Sequence, residues 1–179
     1  MPQEATPDQS FIIRKAREDD LPVLVGFLAK LDLHVSGEPP QNLKDKEFAR
    51  LLDALRAALG ARNKRLVVAE DPEAGLVGMG YVYAWRSQGI WEQSEPEEHR
   101  SGVIDDVWVE PEFRGRGVFR ALIQELVAFA ESRHVYELIL EYSASNPEAK
   151  AVWTKLGFKV TGVRAAAFIP EVKKALAQW

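Results

Sequence analysis

One segment constrains the fold of this chain more than any other, because it carries a strand pattern, a glycine-rich turn and a helix pattern in direct succession. The strand pattern covers residues 103–109 and stops at Pro111, which cannot donate to a strand ladder. An amphipathic helix pattern follows from Gly117 to Arg133, and a further strand pattern covers residues 136–142. This β-α-β order predicts that the two strands pair in parallel within one sheet.

The remaining elements are predicted from apolar patterns of both kinds. Strand-like apolar runs occupy five further segments: 11–14, 66–69, 76–85, 158–163 and 164–168. Apolar residues at helical spacing occupy three: 24–31, 48–59 and 147–156. The polar stretch 86–100 has no periodicity and is either a binding loop or a plain surface excursion. Together these patterns predict an α/β (α+β) fold, with a mixed, largely antiparallel sheet of about seven strands and helices on both faces.

Length and composition exclude several classes of protein. A chain of 179 residues fits one domain, which we expect over residues 11–179 after a flexible tail at 1–10. Twenty-three basic and 27 acidic side chains give a net charge of −4, which argues against nucleic acid as a partner. The absence of cysteine excludes thiol catalysis and cysteine-ligated zinc, and the three histidines lack metal-ligand spacing, so no metal is expected. Without a secretion signal or a long apolar run, we expect a cytoplasmic protein that does not bind membranes.

The turn between the strand and the helix has the chemistry of a diphosphate site. Gly115 and Gly117 allow a tight turn and a close approach of the backbone to a ligand. The first turn of the helix presents unpaired N–H groups, and Arg114 and Arg116 add positive charge. A plain strand-to-helix connection is the alternative interpretation. The motifs of P-loop and dinucleotide-binding folds do not occur in the sequence.

The run Val-x-Pro-x-x-Arg-Gly-x-Gly resembles the GNAT superfamily of acyl-CoA N-acyltransferases, whose signature at this turn is R/Q-x-x-G-x-G/A. Arg114 and Gly117 match that signature. A second match is the family's N-x-x-A with a terminal K-L-G-F, which begins here at Asn146 and ends at Phe158. The order of elements is also similar, so the resemblance covers nearly the entire chain.

The resemblance implies an enzyme that uses acetyl-CoA as co-substrate and acetylates a primary amine by direct attack in a ternary complex. It implies that the Val107 N–H faces the thioester carbonyl. The residues that would contact the cofactor are Val107, Trp108, Val109, Arg114, Gly115, Arg116, Gly117, Val118, Phe119 and Asn146.

Two positions depart from the family's pattern. Phe119 stands where the family usually has Gly or Ala, and Trp153 stands where many members carry a tyrosine that protonates the departing thiolate. An indole N–H is too weak an acid for that step. These departures motivate an alternative function, a non-catalytic acyl-CoA-binding or regulatory protein of the same fold.

Two adjacent carboxylates are the candidates for the base that deprotonates the amine. We favour Asp105, with Asp106 as the neighbouring candidate, because acid pairs occur at this strand position in polyamine-acetylating members of the family. Regular alternation would place Asp105 on the face of Val107, and Asp106 on the face of Ile104 and Trp108. The alternative is that each carboxylate only makes local hydrogen bonds.

The acid and the acceptor site have weaker candidates. Tyr142 is the candidate acid, and its alternative role is packing. His34, in the break between the first two helices, and the aromatic residues Trp85 and Trp91 are candidates for the acceptor site. The acceptor is expected to be a small, cationic amine or a protein amino group. The terminal segment 171–179 either caps a homodimer or packs on its own domain.

Overall fold

The structure is a computed structural model and describes residues 10–37, 45–85 and 100–178. The chain divides into two compact units, Met1–Glu141 and Tyr142–Trp179. The described residues of the first unit form five strands and three α-helices. In chain order these are β1 Ile12–Lys15, α1 Leu21–Ser36, α2 Asp45–Gly60, β2 Lys64–Asp71, β3 Gly75–Trp85, β4 Arg100–Val109, α3 Val118–Ser132 and β5 Val135–Ile139.

The five strands form one mixed sheet in the order β1-β2-β3-β4-β5. The first four pair antiparallel, and β4 pairs with β5 in parallel, as the β-α-β order predicts. The hairpin of β2 and β3 is also confirmed. The prediction of about seven strands is wrong, because the described residues 158–168 form no strand. An apolar run shows that a segment could join a ladder, whereas a strand also requires a partner.

The helices lie on both faces of the sheet, as expected. On one face α1 and α2 pack over a cluster that includes Leu66, Val68, Met79 and Trp108. On the other face α3 packs mainly against β3 and β2. Because neighbouring residues of a strand point to opposite faces, the fully buried Val67 and Val68 supply one side chain to each layer.

Two glycines of β3 let α3 approach the sheet closely. A Cβ atom on Gly78 would lie 3.0 Å from the carbonyl oxygen of Trp108 and 3.2 Å from Leu122 Cδ1. A Cβ atom on Gly80 would lie 3.1 Å from Leu126 Cδ1. Glycine weakens a strand in isolation, but here it provides the space that the helix occupies. The start of α3 is therefore held against the end of β4.

The ends of α1 lie at residues that favour helix termini. Pro22 lies in the first turn of α1, where its missing N–H costs nothing. Gly37 ends α1 with a φ of 71°, in the left-handed region that glycine favours. His34 lies in the last turn of α1, so its predicted place in a break between helices is wrong. The apolar pattern 24–31 covered only part of this helix, and it left out the fully buried Leu21 in the first turn.

A partly buried ion network joins β1 to β2 and to the turn that follows β1. The Arg14 guanidinium donates to both oxygens of Asp20, at 2.7 and 2.9 Å, and to Glu70 on β2 at 2.5 Å. The Arg17 N–H also donates to Asp20, which is 8% exposed. The hydrogen bonds from Arg14 lower the pKa of Asp20 below its ordinary value of 3.8.

The second unit contains two helices, α4 Pro147–Lys155 and α5 Ile169–Leu176. The Asn146 side chain caps α4 by accepting a hydrogen bond from the Ala149 N–H at 3.0 Å. Gly157 follows α4 with a φ of 93°, and the Trp153 and Phe158 rings meet edge to face at 5.5 Å. The sequence did not indicate α5. In the described part of the chain, no helix has the length and apolarity needed to cross a bilayer.

Candidate active site

The parallel strands β4 and β5 are paired over only the first part of β4. Pairing runs from Arg100 with Val135 to Val103 with Ile139, where β5 ends. Residues 104–109 therefore have no partner on the β5 side among the described strands. Along this edge the main-chain N–H and C=O groups of β4 lack a ladder. This stretch includes Val107 and Val109, whose main chain the family resemblance assigns to the pantetheine arm of acetyl-CoA.

A β-bulge interrupts β4 at the two aspartates. Gly80 pairs with Val107 and Val82 pairs with Ile104, so the single residue Tyr81 of β3 lies opposite both Asp105 and Asp106. A bulge of this kind leaves the extra residue outside the ladder and increases the local twist. The bulge closely follows Val103, the last residue of β4 that pairs with β5. The bulge and the end of the parallel pairing therefore occur in the same short region of β4.

The bulge also shifts the alternation of side chains along β4. Ile104 pairs with Val82, whereas Trp108 pairs with Met79. Directly paired residues point to the same face, and Met79 and Val82 are three positions apart, so they point to opposite faces. The predicted common face of Ile104 and Trp108 is therefore wrong, because the sequence pattern assumed an uninterrupted strand.

The two aspartates differ in their surroundings. Asp106 is half-buried, and this burial, with the nearby charge of Asp105, raises its pKa to about 6. Asp105 is the more exposed of the two, and partial burial together with the charge of Glu141 raises its pKa as well. A carboxylate that titrates near 6 can hold or release a proton at neutral pH.

Two tyrosines of β3 accompany the aspartates. The Tyr81 and Tyr83 rings lie 5.7 Å apart, and Tyr81 packs against the cluster under α1 and α2. Burial, followed by the charge of Asp105, raises the pKa of Tyr81 to about 12. Burial and the charges of Asp105, Glu141 and Asp106 raise the pKa of Tyr83. Both phenols therefore keep their protons at neutral pH and can donate hydrogen bonds.

The predicted diphosphate turn has the backbone that its glycines suggested. After a short 3₁₀ turn at Pro111–Phe113, Gly115 and Gly117 adopt φ angles of 74° and 88°. Gly117 is the N-cap of α3 and offers no capping side chain, so the first N–H groups of the helix lack a side-chain acceptor there. A Cβ atom on either glycine would meet nothing within 4 Å, so the surface around this turn is open.

The arginines of the turn are held by aromatic rings. The Arg114 Nε donates to the Val109 carbonyl at 3.1 Å, and its guanidinium lies 5.1 Å from the Trp108 ring. The Arg116 guanidinium lies 5.0 Å from the Phe113 ring. Both arginines remain exposed, so the positive charge faces solvent. These residues fit a diphosphate, which needs N–H donors and guanidinium groups together.

The next two residues of the cofactor prediction begin α3. Val118 is fully buried and anchors the helix, whereas Phe119, the departure from the family's pattern, is half-buried.

The acceptor-site candidates have different positions. The exposed His34 ring lies 6.0 Å from the Trp108 ring in an edge-to-face arrangement, so α1 brings this histidine to β4. Trp85 is 40% exposed at the end of β3, on the face of Tyr81 and Tyr83 by alternation. Trp91 lies outside the described residues.

Two candidate residues belong to the second unit. Tyr142 does not close a strand, because β5 ends at Ile139, and the predicted extension of that strand to residue 142 is wrong. Asn146 is the N-cap of α4, where its side-chain oxygen accepts the hydrogen bond from the Ala149 N–H.

Sequence reasoning missed Tyr81, Tyr83 and Glu141. The first two alternate on β3, which places their rings on one face, but only the register of β3 and β4 brings that face to the aspartates. Glu141 follows β5 by two residues and acts on Asp105 because β5 runs parallel beside β4. Both relations depend on pairing between distant segments.

The sequence matches one family and several curated proteins. Residues 29–158 match the Acetyltransferase (GNAT) family. The chain is 32% identical over 148 residues to a probable glucosamine 6-phosphate N-acetyltransferase of Oryza sativa, covering 80% of each protein. It is also 39% identical over 62 residues, 35% of this chain and 42% of that protein, to the ribosomal protein bS18 alanine N-acetyltransferase of Salmonella typhimurium.

The fold is similar to that of solved structures. A predicted acetyltransferase with acetyl-CoA from Clostridium acetobutylicum superposes with a TM-score of 0.71 at 20% identity. The match covers 90% of this chain and 97% of that one. At this identity the similarity supports the fold alone, which is α+β and GNAT-like, with five strands in the described sheet instead of the predicted total of about seven.

Proposed function

Because the chain belongs to the acetyltransferase (GNAT) family, and is thus an acetyl-CoA-dependent N-acetyltransferase, we propose that it acetylates the primary amine of a small cationic molecule, with Asp106 as the base. The observation that carries the proposal is the β4 bulge, which brings Asp105 and Asp106 next to Tyr81 and Tyr83, beside the edge of β4 that no described strand pairs with. Asp106 replaces Asp105 as the favoured base because it is less exposed and its pKa is raised to about 6.

The residues that would hold acetyl-CoA are those of the turn and of β4. Arg114, Arg116 and the first N–H groups of α3 would take the diphosphate, and the main chain of Val107 and Val109 would contact the pantetheine arm. Acetyl-CoA supplies an acetyl group activated as a thioester. The proposed role of the Val107 N–H is to donate to the carbonyl oxygen as negative charge develops there.

The raised pKa of Asp106 reduces the cost of deprotonating an ammonium group. Proton transfer from an amine with a pKa near 10.4 to an ordinary carboxylate costs about 9 kcal/mol. Transfer to a carboxylate whose pKa is about 6 costs roughly 6 kcal/mol. Asp105, which keeps more contact with solvent, would remain charged and attract the cation.

The departing thiolate also needs a proton donor. Tyr142 remains our proposed donor, because Trp153 cannot supply a proton. His34, beside Trp108, and Trp85, on the face of the tyrosines, are proposed to line the acceptor site. Asn146 is proposed to contact the cofactor in addition to capping α4.

The similarity to glucosamine 6-phosphate N-acetyltransferases favours a second candidate acceptor, an amino sugar phosphate. Its phosphate would have to avoid Asp105, Asp106 and Glu141, whose like charges disfavour an anion nearby. The similar protein from Salmonella typhimurium is an alanine N-acetyltransferase of a ribosomal protein. This similarity supports a protein amino terminus as a third acceptor to assay.

The test is the release of free CoA from acetyl-CoA across a panel of amines. The panel contains spermidine, an aminoglycoside, a peptide with a free amino terminus and glucosamine 6-phosphate. We expect the highest kcat/KM with a cation, and a 10²–10⁴-fold lower value for Asp106→Asn. Glu73→Gln, which removes an exposed carboxylate from the β2–β3 turn, is the matched control and should retain full activity.

Two outcomes would contradict the proposal in different ways. A preference for glucosamine 6-phosphate would replace the cationic acceptor by the sugar phosphate. Tight binding of acetyl-CoA in calorimetry without turnover of any amine would instead support the alternative of a non-catalytic acyl-CoA-binding or regulatory protein.

A further inference from the structure

A cleft in the first unit carries an unusual concentration of positive charge. It has a volume of about 250 Å³ and lies where α2 ends, β2 begins and α3 ends. Five cationic side chains line it, and we call it the basic cleft: Lys15, Arg62, Lys64, Arg65 and Arg133.

The basic cleft is separate from the diphosphate turn. The turn precedes the first residue of α3, whereas Arg133 follows the last. A helix of 15 residues is roughly 22 Å long, so a ligand of the cleft does not reach the turn.

Acidic side chains neutralise little of this charge. None of the lining residues is acidic, although the chain as a whole has a net charge of −4. Among the described residues, Arg65 is the one cation of the cleft with an ion pair, to Glu125 at 3.8 Å, and that glutamate side chain is 44% exposed. The Arg65 and Arg133 guanidiniums flank the Phe129 ring at 4.6 and 5.2 Å, which holds both near the cleft.

One donor of the cleft is buried and unsatisfied. The Nε atom of Arg133 is shielded from solvent, and no acceptor in the described part of the chain lies within hydrogen-bonding distance. A buried donor without a partner is unfavourable, so the hydrogen bonding of Arg133 is incomplete in the described part of the chain.

Helix dipoles alone do not account for the charge. Arg62 and Arg133 follow the C-terminal ends of α2 and α3, where cations stabilise a helix. Each helix end is equivalent to about half a negative charge, so two ends balance about one cation. Lys15, Lys64 and Arg65 belong to strands, and their charge exceeds what the helices require.

We propose that the basic cleft is a second anion-binding site, which takes a small phosphorylated molecule. A tetrahedral phosphate accepts hydrogen bonds from several directions, which suits the guanidinium groups of Arg65 on β2 and of Arg133 after α3, together with two lysine ammonium groups. The volume is below the range of about 300 to 1,000 Å³ that is usual for drug-sized ligands, so the ligand is small.

The test uses the full ¹⁵N-labelled chain with coenzyme A at saturation, so that the diphosphate turn is occupied. Inorganic phosphate, glycerol 3-phosphate and acetate are titrated while amide signals are followed by NMR. We expect saturable shifts at residues 61–66 and 133 with both phosphates, and at least tenfold weaker binding of acetate.

The variants compare charge in the cleft with charge elsewhere. Arg62→Gln with Lys64→Gln should weaken phosphate binding at least tenfold. Lys46→Gln with Arg50→Gln removes two exposed cations from α2 outside the cleft and should change the affinity less than twofold. Should the first pair fail to fold, Lys15→Gln alone, at an exposed position, should weaken binding at least threefold.

Linear shifts that do not saturate, or equal losses in the cleft and control variants, would overturn the proposal. Acetate binding as tightly as phosphate would overturn the choice of ligand. The signals are resolved by residue, so failure of coenzyme A to bind appears at residues 115–118 and is distinguishable from failure of the cleft.

Discussion

If Asp106 is the base, its ionisation controls the acidic side of the pH profile. With a pKa of about 6, kcat/KM should fall about tenfold per pH unit below pH 6 and level off above it, until the amine or another group titrates. With an ordinary aspartate, whose pKa is 3.8, kcat/KM would stay nearly unchanged until the pH fell to about 4. The two cases therefore differ by roughly tenfold in kcat/KM at pH 5.

A neighbouring variant tests the cause of the raised pKa. Burial is the larger cause and the charge of Asp105 the smaller, so Asp105→Asn should move the acidic limb to lower pH by only part of the difference between 6 and 3.8. Asp106→Asn should abolish the limb together with most of the activity. Because the two carboxylates interact, the apparent pKa values belong to the pair.

The measurement is kcat/KM for the best acceptor between pH 4.5 and 8, with circular dichroism at each pH to show that the chain stays folded. Glu73→Gln serves as the control and should reproduce the parent profile. A flat profile between pH 5 and 7, or an acidic limb that Asp105→Asn leaves in place, would refute the assignment of Asp106.

Three further predictions concern the frame of the site. Asp20→Asn should lower the free energy of unfolding by about 1.5–3 kcal/mol in urea at pH 7, because it breaks charged hydrogen bonds with Arg14. Since the folded pKa of Asp20 is lowered, its contribution is present above the ordinary value of 3.8 and is lost as the pH falls through the folded value; a difference between the parent and the variant that does not shrink on acidification would contradict this. Gly80→Val should cost about 1–3 kcal/mol by overpacking against Leu126, and an unchanged thermal midpoint would be the contrary result. Gly117→Val should raise the Kd for coenzyme A at least tenfold in calorimetry, because its φ of 88° strains any β-branched residue; equal affinity would count against the turn.

The elements that the sequence predicted well depend on local chemistry. The turn from Arg114 to Gly117 and the helix after it were predictable because glycine conformation, helix termini and the apolar stripe act within a few residues. The parallel pairing of β4 with β5 followed from the order of elements.

The elements that escaped prediction depend on pairing between distant segments. The bulge at Asp105 and Asp106 could not be read from alternation, because it exists only relative to β3. The contribution of Tyr81 to the site depends on the same register. Conversely, residues 158–168 have strand-like apolar residues but no ladder in the described chain, so local preference overestimated the sheet.

The separation of β4 from β5 leaves residues 104–109 without a strand partner on that side in the described part of the chain, and this has a consequence for the behaviour of the free protein in solution. An unsatisfied strand edge is a template to which another polypeptide can add by main-chain hydrogen bonds. A pantetheine chain carries two amides, and one lying along residues 104–109 would occupy the place of a neighbouring strand. Bound coenzyme A should therefore suppress the association of protein molecules through this edge. Light scattering measured while coenzyme A is removed would detect the increase in association.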